Sequence, residues 1–170
     1  VSLFLGTSLA YLVTNIKFPG AKVIKYALFL PLTMPSFIAA YAWVELLEYA
    51  GPLQTSLRAT MGWTSARDYW FPDIRSRFGA ILVLSFALYP YVYLLARSAF
   101  RELPLSGHDV ARSLGLGHVG QFWRISLPQA RPAIVAGTAI VMMETLNDFG
   151  TVDFFAVQTL TTGIFSLWLE

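Results

Sequence analysis

The sequence predicts an all-α protein, a polytopic bundle of membrane-spanning helices, and three observations carry that prediction. Charged residues make up only 13% of the 170-residue chain and hydrophobic residues 56%. A soluble domain usually carries about 25% charged residues, and a deficit of this size leaves too little polar surface to cover a compact fold. Apolar stretches recur at lengths close to the roughly 20 residues that cross about 30 Å of hydrocarbon. These stretches lack the period-2 alternation of barrel strands, and only helices or closed barrels satisfy every backbone group in lipid.

Four spans follow in order. Residues 1–16 carry no charge and read as the tail of a first span, extending into a chain cut inside or near it. The second is expected over 26–47, from the uncharged run Tyr26 to Val44, and the third over 78–100, from the uncharged run Phe78 to Ala96. The fourth, over 131–148, has only the short apolar run Pro132 to Met143 before Glu144. By length alone that run also fits a buried core helix. It crosses a membrane only if Glu144, Asn147 and Asp148 face protein or water. Pro31, Pro35 and Pro90 fall inside the spans, where neighbouring helices must cover the carbonyls they free. The chain end at Glu170 again follows an apolar run, and the whole of 1–170 reads as a partial transmembrane domain.

Charge orients the spans. Lys17, Lys22 and Lys25 in the first connection and Arg97, Arg101, Arg112, Arg124 and Arg131 around the third flank one side. Arg58, Arg67, Arg75 and Arg77 flank the other, offset by Glu45, Glu48, Asp68 and Asp73. The positive-inside bias puts the first and third connections in the cytoplasm. Tyr41, Trp43 and Tyr49 sit where an interfacial aromatic belt would lie. With no cysteine and a net charge of only +2, disulfide frameworks, Cys-based metal sites and a basic nucleic-acid stripe are absent from the reading. No nucleophile elbow occurs, and Gly115-Leu116-Gly117 follows a helix, unlike a nucleotide fingerprint. His108 and His118 carry no zinc pattern.

The third connection, 101–130, is the most patterned. Ser106 can cap a helix that Asp109 supports at its positive end. Val110 to Leu114 gives that helix a short body, and Gly115 a stop that needs φ > 0. Gly117 breaks the chain again, and Val119 to Ile125 forms a second helical stretch running to Pro128. The order Asp109-Val110-Ala111, Leu114, Gly115, nine residues, then Ile125-Ser126-Leu127-Pro128 resembles the Glu-Ala-Ala–x3–Gly–x9–Ile-x-Leu-Pro loop of permease subunits in binding-protein-dependent ABC importers. It departs at the start, where Asp and Val stand for Glu and Ala. Tyr89-Pro90-Tyr91-Val92-Tyr93, Glu144 to Asp153, Thr161-Thr162-Gly163-Ile164 and Phe18-Pro19-Gly20 resemble the iron(III)-type branch, so the similarity covers the chain.

The resemblance implies a type I ABC importer permease core in a bacterial inner membrane, of which this chain looks like the first half, paired with a second half or copy. It implies that Asp109, Val110, Ala111, Leu114, Gly115, Ile125, Leu127 and Pro128 form a coupling helix loop seated in an ABC ATPase subunit, with Ala111 and Gly115 the points of closest packing. ATP is then bound and hydrolysed by that partner, this chain holds no cofactor or metal, and a periplasmic substrate-binding protein delivers ferric iron. Thiamine, polyamine and phosphonate are alternative substrates. Glu144, Asn147 and Asp148 share one helix face at i, i+3 and i+4. With Glu144 about 20 Å along the fourth span, they and Gly150 are candidates to line the translocation path near its outer mouth. Interhelical hydrogen bonds are the plainer reading of the same residues. A membrane-embedded enzyme using Glu144 and Asp148, or a non-transporting scaffold, are rivals from other classes. The Trp63, Tyr69, Trp70 and Phe71 cluster reads as an external cap against the membrane surface, with a docking face for the binding protein as the alternative.

Overall fold

The computed structural model describes residues 1–16, 18–103, 113, 115–169 of the chain. Among them every regular element is helical. The order is α1 (Ser2–Asn15), α2 (Ala21–Ala27), a 3₁₀ turn (Leu30–Thr33), α3 (Ser36–Leu47), α4 (Pro52–Met61) and α5 (Arg77–Glu102). Then come α6 (His118–Asn147), α7 (Gly150–Phe154) and α8 (Leu160–Leu169). Helices α5 and α6 are each long and apolar enough to cross a membrane, and the broken pair Ala21–Thr33 and Ser36–Met61 adds a third if taken as one span.

Two of the expected spans differ from what is observed. The stretch 26–47 is not one helix. Pro31 and Pro35 interrupt it, so α2 ends at Ala27, a 3₁₀ turn follows, and α3 starts afresh at Ser36 behind Pro35. The helix expected over 131–148 begins thirteen residues earlier, at His118. Pro128 does not stop it, because a π turn at Phe122–Ser126 precedes the proline. There the Leu127 N–H bonds to the Phe122 carbonyl, five residues back. This local offset of the ladder accommodates a residue that has no N–H to give.

The chain divides into two compact units, Val1–Leu32 with Leu88–Glu144, and Thr33–Ala87 with Thr145–Glu170. In the first, Ala10, Tyr11, Tyr89, Val92, Tyr93, Ala96, Phe100, Ala130 and Ile134 form the core. Two glycines let the helices close on Val92 of α5. A Cβ on Gly6 would fall 2.7 Å from Val92 Cβ, and one on Gly137 would fall 2.9 Å from Val92 Cα. Small residues at such crossings replace the hydrophobic drive that lipid does not provide.

The Tyr-Pro-Tyr-Val-Tyr stretch serves the same unit. In the 3₁₀ turning after α2, Phe29 N–H bonds to Tyr26 and Leu32 N–H to Phe29, which withdraws the usual donors from the Lys25 and Leu28 carbonyls. The Tyr93 hydroxyl donates to Lys25 O at 3.3 Å and the Tyr89 hydroxyl to Leu28 O at 3.1 Å. Tyrosines four apart on one face of α5 thus cover the carbonyls that the Pro31 break exposes.

The second unit packs Ala40, Val44, Ile74, Ala80, Val83 and Phe155 into its own core. Its long connection is more ordered than its composition suggests. Pro52 starts α4 at the position where a missing N–H costs nothing, and Gly62, at φ 72°, ends it. Gln54 is buried, donates to the Leu47 carbonyl at 2.7 Å and accepts from the Tyr69 hydroxyl at 2.6 Å. Arg58 donates to Tyr69 and lies 4.0 Å over the Tyr49 ring. Tyr69 stacks on Trp63 at 4.8 Å, while Trp70 is left 86% exposed. Asp68 closes the turn between them by accepting from the Thr64 and Ser65 N–H groups at 2.9 and 2.8 Å. The Ser65 and then the Thr64 N–H hold its carboxyl below the usual carboxylate range. The Arg75–Glu48 ion pair at 2.9 Å is half exposed on both sides and adds little.

Candidate functional site

Of the expected coupling positions, Asp109, Val110, Ala111 and Leu114 lie outside the described residues. The rest, Gly115, Ile125, Leu127 and Pro128, lie just before and within the start of α6, a stretch called the stem below. Gly115 has φ +74°, in the left-handed region. No described atom lies within 4 Å of where its Cβ would be, so among the described residues it is the backbone conformation that calls for glycine. Gly117 is extended and opens α6. Gln121 is buried and its amide donates to the Leu116 carbonyl at 2.9 Å, folding the glycine-flanked strip back onto the helix. Ile125 and Pro128 are half-buried, Ser126 is fully buried, and Leu127 packs against the first unit's core. The Ile-Ser-Leu-Pro segment therefore seats the stem, while Val119 and Trp123, four residues apart, stay exposed at 73% and 57%.

Tyr11 of α1 meets this stem. Its hydroxyl donates to the His118 carbonyl at 2.9 Å. Its ring makes edge contacts with Phe100, near the end of α5, at 5.6 Å, and with Phe122, first residue of the π turn, at 4.7 Å. The helix that enters the loop and the helix that leaves it are thus joined at one buried side chain.

The polar patch divides by environment. Glu144 and Asn147 are exposed on α6, and Gly150 is exposed at the start of α7. Asp148 is engaged instead. Its carboxylate accepts from the Ser36 hydroxyl at 2.8 Å and from the Thr151 N–H and hydroxyl at 2.8 and 2.9 Å. From the residue before the Phe149 N-cap it takes up a free N–H of the first turn of α7 and ties that turn to the first residue of α3, just past the Pro35 break. A Cβ on Gly150 would meet the Phe37 ring at 3.6 Å, ordinary contact. The Thr161 hydroxyl donates to the Leu146 carbonyl at 2.6 Å, covering the C-terminal end of α6. Asp148 thus makes hydrogen bonds between elements, while Glu144 and Asn147 present exposed side chains. Among the described residues, no three His, Asp or Glu side chains converge to hold a metal ion.

Sequence reasoning missed Tyr11, Gln121, Ser36, Thr151 and Thr161. Gln121 alone left a local signal, a long amide just inside a glycine-opened helix. The others act across 15 to 112 residues of chain, except Thr151, whose Asx-type partner at i−3 is a familiar capping spacing.

The chain matches the profile of the family described as "Binding-protein-dependent transport system inner membrane component" over residues 2–166. It is 29% identical over 161 residues to the Fe(3+)-transport system permease protein FbpB 2 of Haemophilus influenzae, covering 95% of this chain and 27% of that protein. It is 28% identical over 170 residues to a probable molybdenum ABC transporter permease protein of Haloferax volcanii, covering 100% and 58%. With the sulfate transport system permease protein CysT of Salmonella typhimurium it shares 24% over 156 residues, covering 89% and 51%. The chain thus spans less than two thirds of the length of each of these relatives.

Proposed function

This chain belongs to the family of inner-membrane components of binding-protein-dependent transport systems, and from that premise we propose that it is the permease portion of an ATP-driven importer of ferric iron. The observation that carries the reading is the family match over residues 2–166, which takes in both the patterned loop and the helices on either side. The iron assignment rests on the 29% identity to the Haemophilus iron permease and on the iron-branch segments in the sequence.

In this reading the protein is multi-pass in the inner membrane and acts as a transport subunit. A periplasmic binding protein presents iron to the outer face. The loop from Asp109 through Leu114 and Gly115 enters a cleft of a separate ABC ATPase subunit, and a second permease half or copy completes the pathway. The stem supports it: Gly115 turns the chain, Leu127 packs on the core, and Ile125 and Pro128 beside it are half-buried. Movement of the ATPase is then passed to α6, whose far end carries Glu144 and Asn147 toward the pathway, with Asp148 bracing the neighbouring α3 and α7. ATP is consumed by the partner.

A second reading, an oxyanion importer, is favoured by the molybdenum relative, whose identity is nearly as high at 28%, and by the sulfate relative. The two are separated by reconstituting the full-length protein with its ATPase and binding protein in proteoliposomes. Uptake is then measured for ferric iron, molybdate and sulfate. ATP-dependent iron uptake is expected. Uptake of molybdate or sulfate in its place sinks the iron assignment, and no ATP-dependent uptake of any of the three counts against the importer reading.

A further inference from the structure

We propose that Tyr11 is the positioning residue through which motion of the coupling loop enters the helix bundle; the inference rests on the coupling reading above. Three observations place it there. It is 8% exposed and lies on α1, far in sequence from the loop, yet its hydroxyl holds the carbonyl of His118, the first residue of α6. Its ring bridges Phe100, on the last turns of α5, and Phe122, at the start of the π turn. Those two rings also approach each other, at 6.5 Å. One side chain therefore touches the helix going into the loop, the helix coming out, and a third helix that otherwise has no covalent neighbour in the loop.

The site of the grip matters. The His118 carbonyl also accepts the Phe122 N–H, and the π turn begins at that residue. A π turn is a locally underwound ladder, often found where a helix performs a function. Tyr11 holds the first turn of α6 on the loop side of this offset in the ladder. A push on the loop is thus resisted at His118 and shared between α1, α5 and α6. Without the grip, the first turn of α6 can swivel at the π turn and the push is spent there.

The hydroxyl and the ring make separable contributions. Tyr11→Phe keeps the ring contacts and removes the bond to His118; Tyr11→Leu removes both. Each variant of the full-length protein is assembled with its ATPase and binding protein in proteoliposomes. ATP hydrolysis and substrate uptake are measured in the same vesicles, with the amount of ATPase retained on the purified permease as a third readout. We expect ATPase retention and hydrolysis near wild type, with substrate moved per ATP falling severalfold in Tyr11→Phe and at least tenfold in Tyr11→Leu. A role confined to packing would lower complex yield and both rates together and leave the ratio unchanged, and that result overturns the proposal. Should Tyr11→Leu fail to assemble, Phe100→Leu strips one ring contact and leaves the hydroxyl bond, and the same fall in ratio is required of it. If the wild-type protein binds no ATPase, the coupling reading itself fails and this inference goes with it; an unchanged ratio in a coupled wild-type background refutes Tyr11 alone.

Discussion

Replacing Gly6 by alanine tests the helix crossing that organises the first unit. The added Cβ would lie 2.7 Å from Val92 Cβ and 2.8 Å from both the Tyr89 carbonyl oxygen and the Tyr93 nitrogen. Two of those atoms are helix backbone, which cannot rotate aside. To reach an ordinary 3.4 Å contact, α1 must retreat from α5 by roughly 0.7 Å at this point. Val92 has little room to yield, because Gly137 of α6 presses on the same residue with a would-be Cβ 2.9 Å from its Cα. Overpacking of this kind costs about 1–3 kcal/mol. Against it stands the gain of about 1 kcal/mol from putting alanine for glycine inside a helix. The net expectation is a loss of about 0–2 kcal/mol. Gly163→Ala is the internal control: it lies in α8 with no described atom within 4 Å of its Cβ position, so only the helix gain applies. The two variants should therefore differ by about 1–3 kcal/mol. The assay is denaturant titration of the purified protein in detergent micelles, followed by near-ultraviolet circular dichroism. A Gly6→Ala protein as stable as Gly163→Ala would refute the close crossing.

Other outcomes follow from the same geometry. Gly115→Val places a β-branched residue at φ +74°, a strain of at least about 1–2 kcal/mol, so uptake should collapse while membrane insertion stays normal; normal uptake speaks against the loop assignment. Tyr89→Phe and Tyr93→Phe each uncover a carbonyl left by the Pro31 break, and each should cost about 0.6 kcal/mol and no more than about 1.7, read as a lowered thermal midpoint; an unchanged midpoint in both variants would contradict this role for the two hydroxyls. Asp148→Asn keeps a carbonyl oxygen for the Thr151 N–H and an amide for Ser36, so transport should largely persist, whereas Ser36→Ala should impair it; the reverse order would mean that the Asp148 charge meets the substrate. The carboxyl of Asp68 is lowered by the Ser65 and Thr64 N–H groups, so its contribution to the turn is present above the unfolded value near pH 3.9 and is lost as pH falls through its lower folded value. Trp63 fluorescence should report that loosening in acid, and Asp68→Asn should abolish the transition.

The helical class and the positions of α5 and the first helix were legible because long uncharged runs need no partner to be read. The break in 26–47 was only half legible. Pro31 and Pro35 announce a disturbance, but whether a helix kinks or stops depends on who covers the freed carbonyls, and here Tyr89 and Tyr93 do so from more than sixty residues away. The Pro128 reading went the other way, because a proline following a π turn meets an offset ladder that no residue pattern declares. Helix α4 could have been read from Gly51-Pro52 and Gly62, which mark its two ends. At the candidate site, Gly115 was legible because its requirement is local. Tyr11 and Ser36 were not, because a tyrosine or serine in an apolar run says nothing about which distant carbonyl or carboxylate it will meet.

The most direct test of the central claim is the sidedness of two single cysteines. These 170 residues contain none, so in a full-length protein from which any other cysteine has been replaced, Ser113→Cys in the patterned loop and Trp70→Cys in the exposed aromatic connection can each be probed alone in cells with a membrane-impermeant thiol reagent. The reagent should reach position 70 from outside and position 113 only after the inner membrane is opened, and the cognate ATPase subunit should then protect and cross-link to position 113. Labelling of position 113 from the outside, or full reactivity there with the ATPase bound, would contradict that claim.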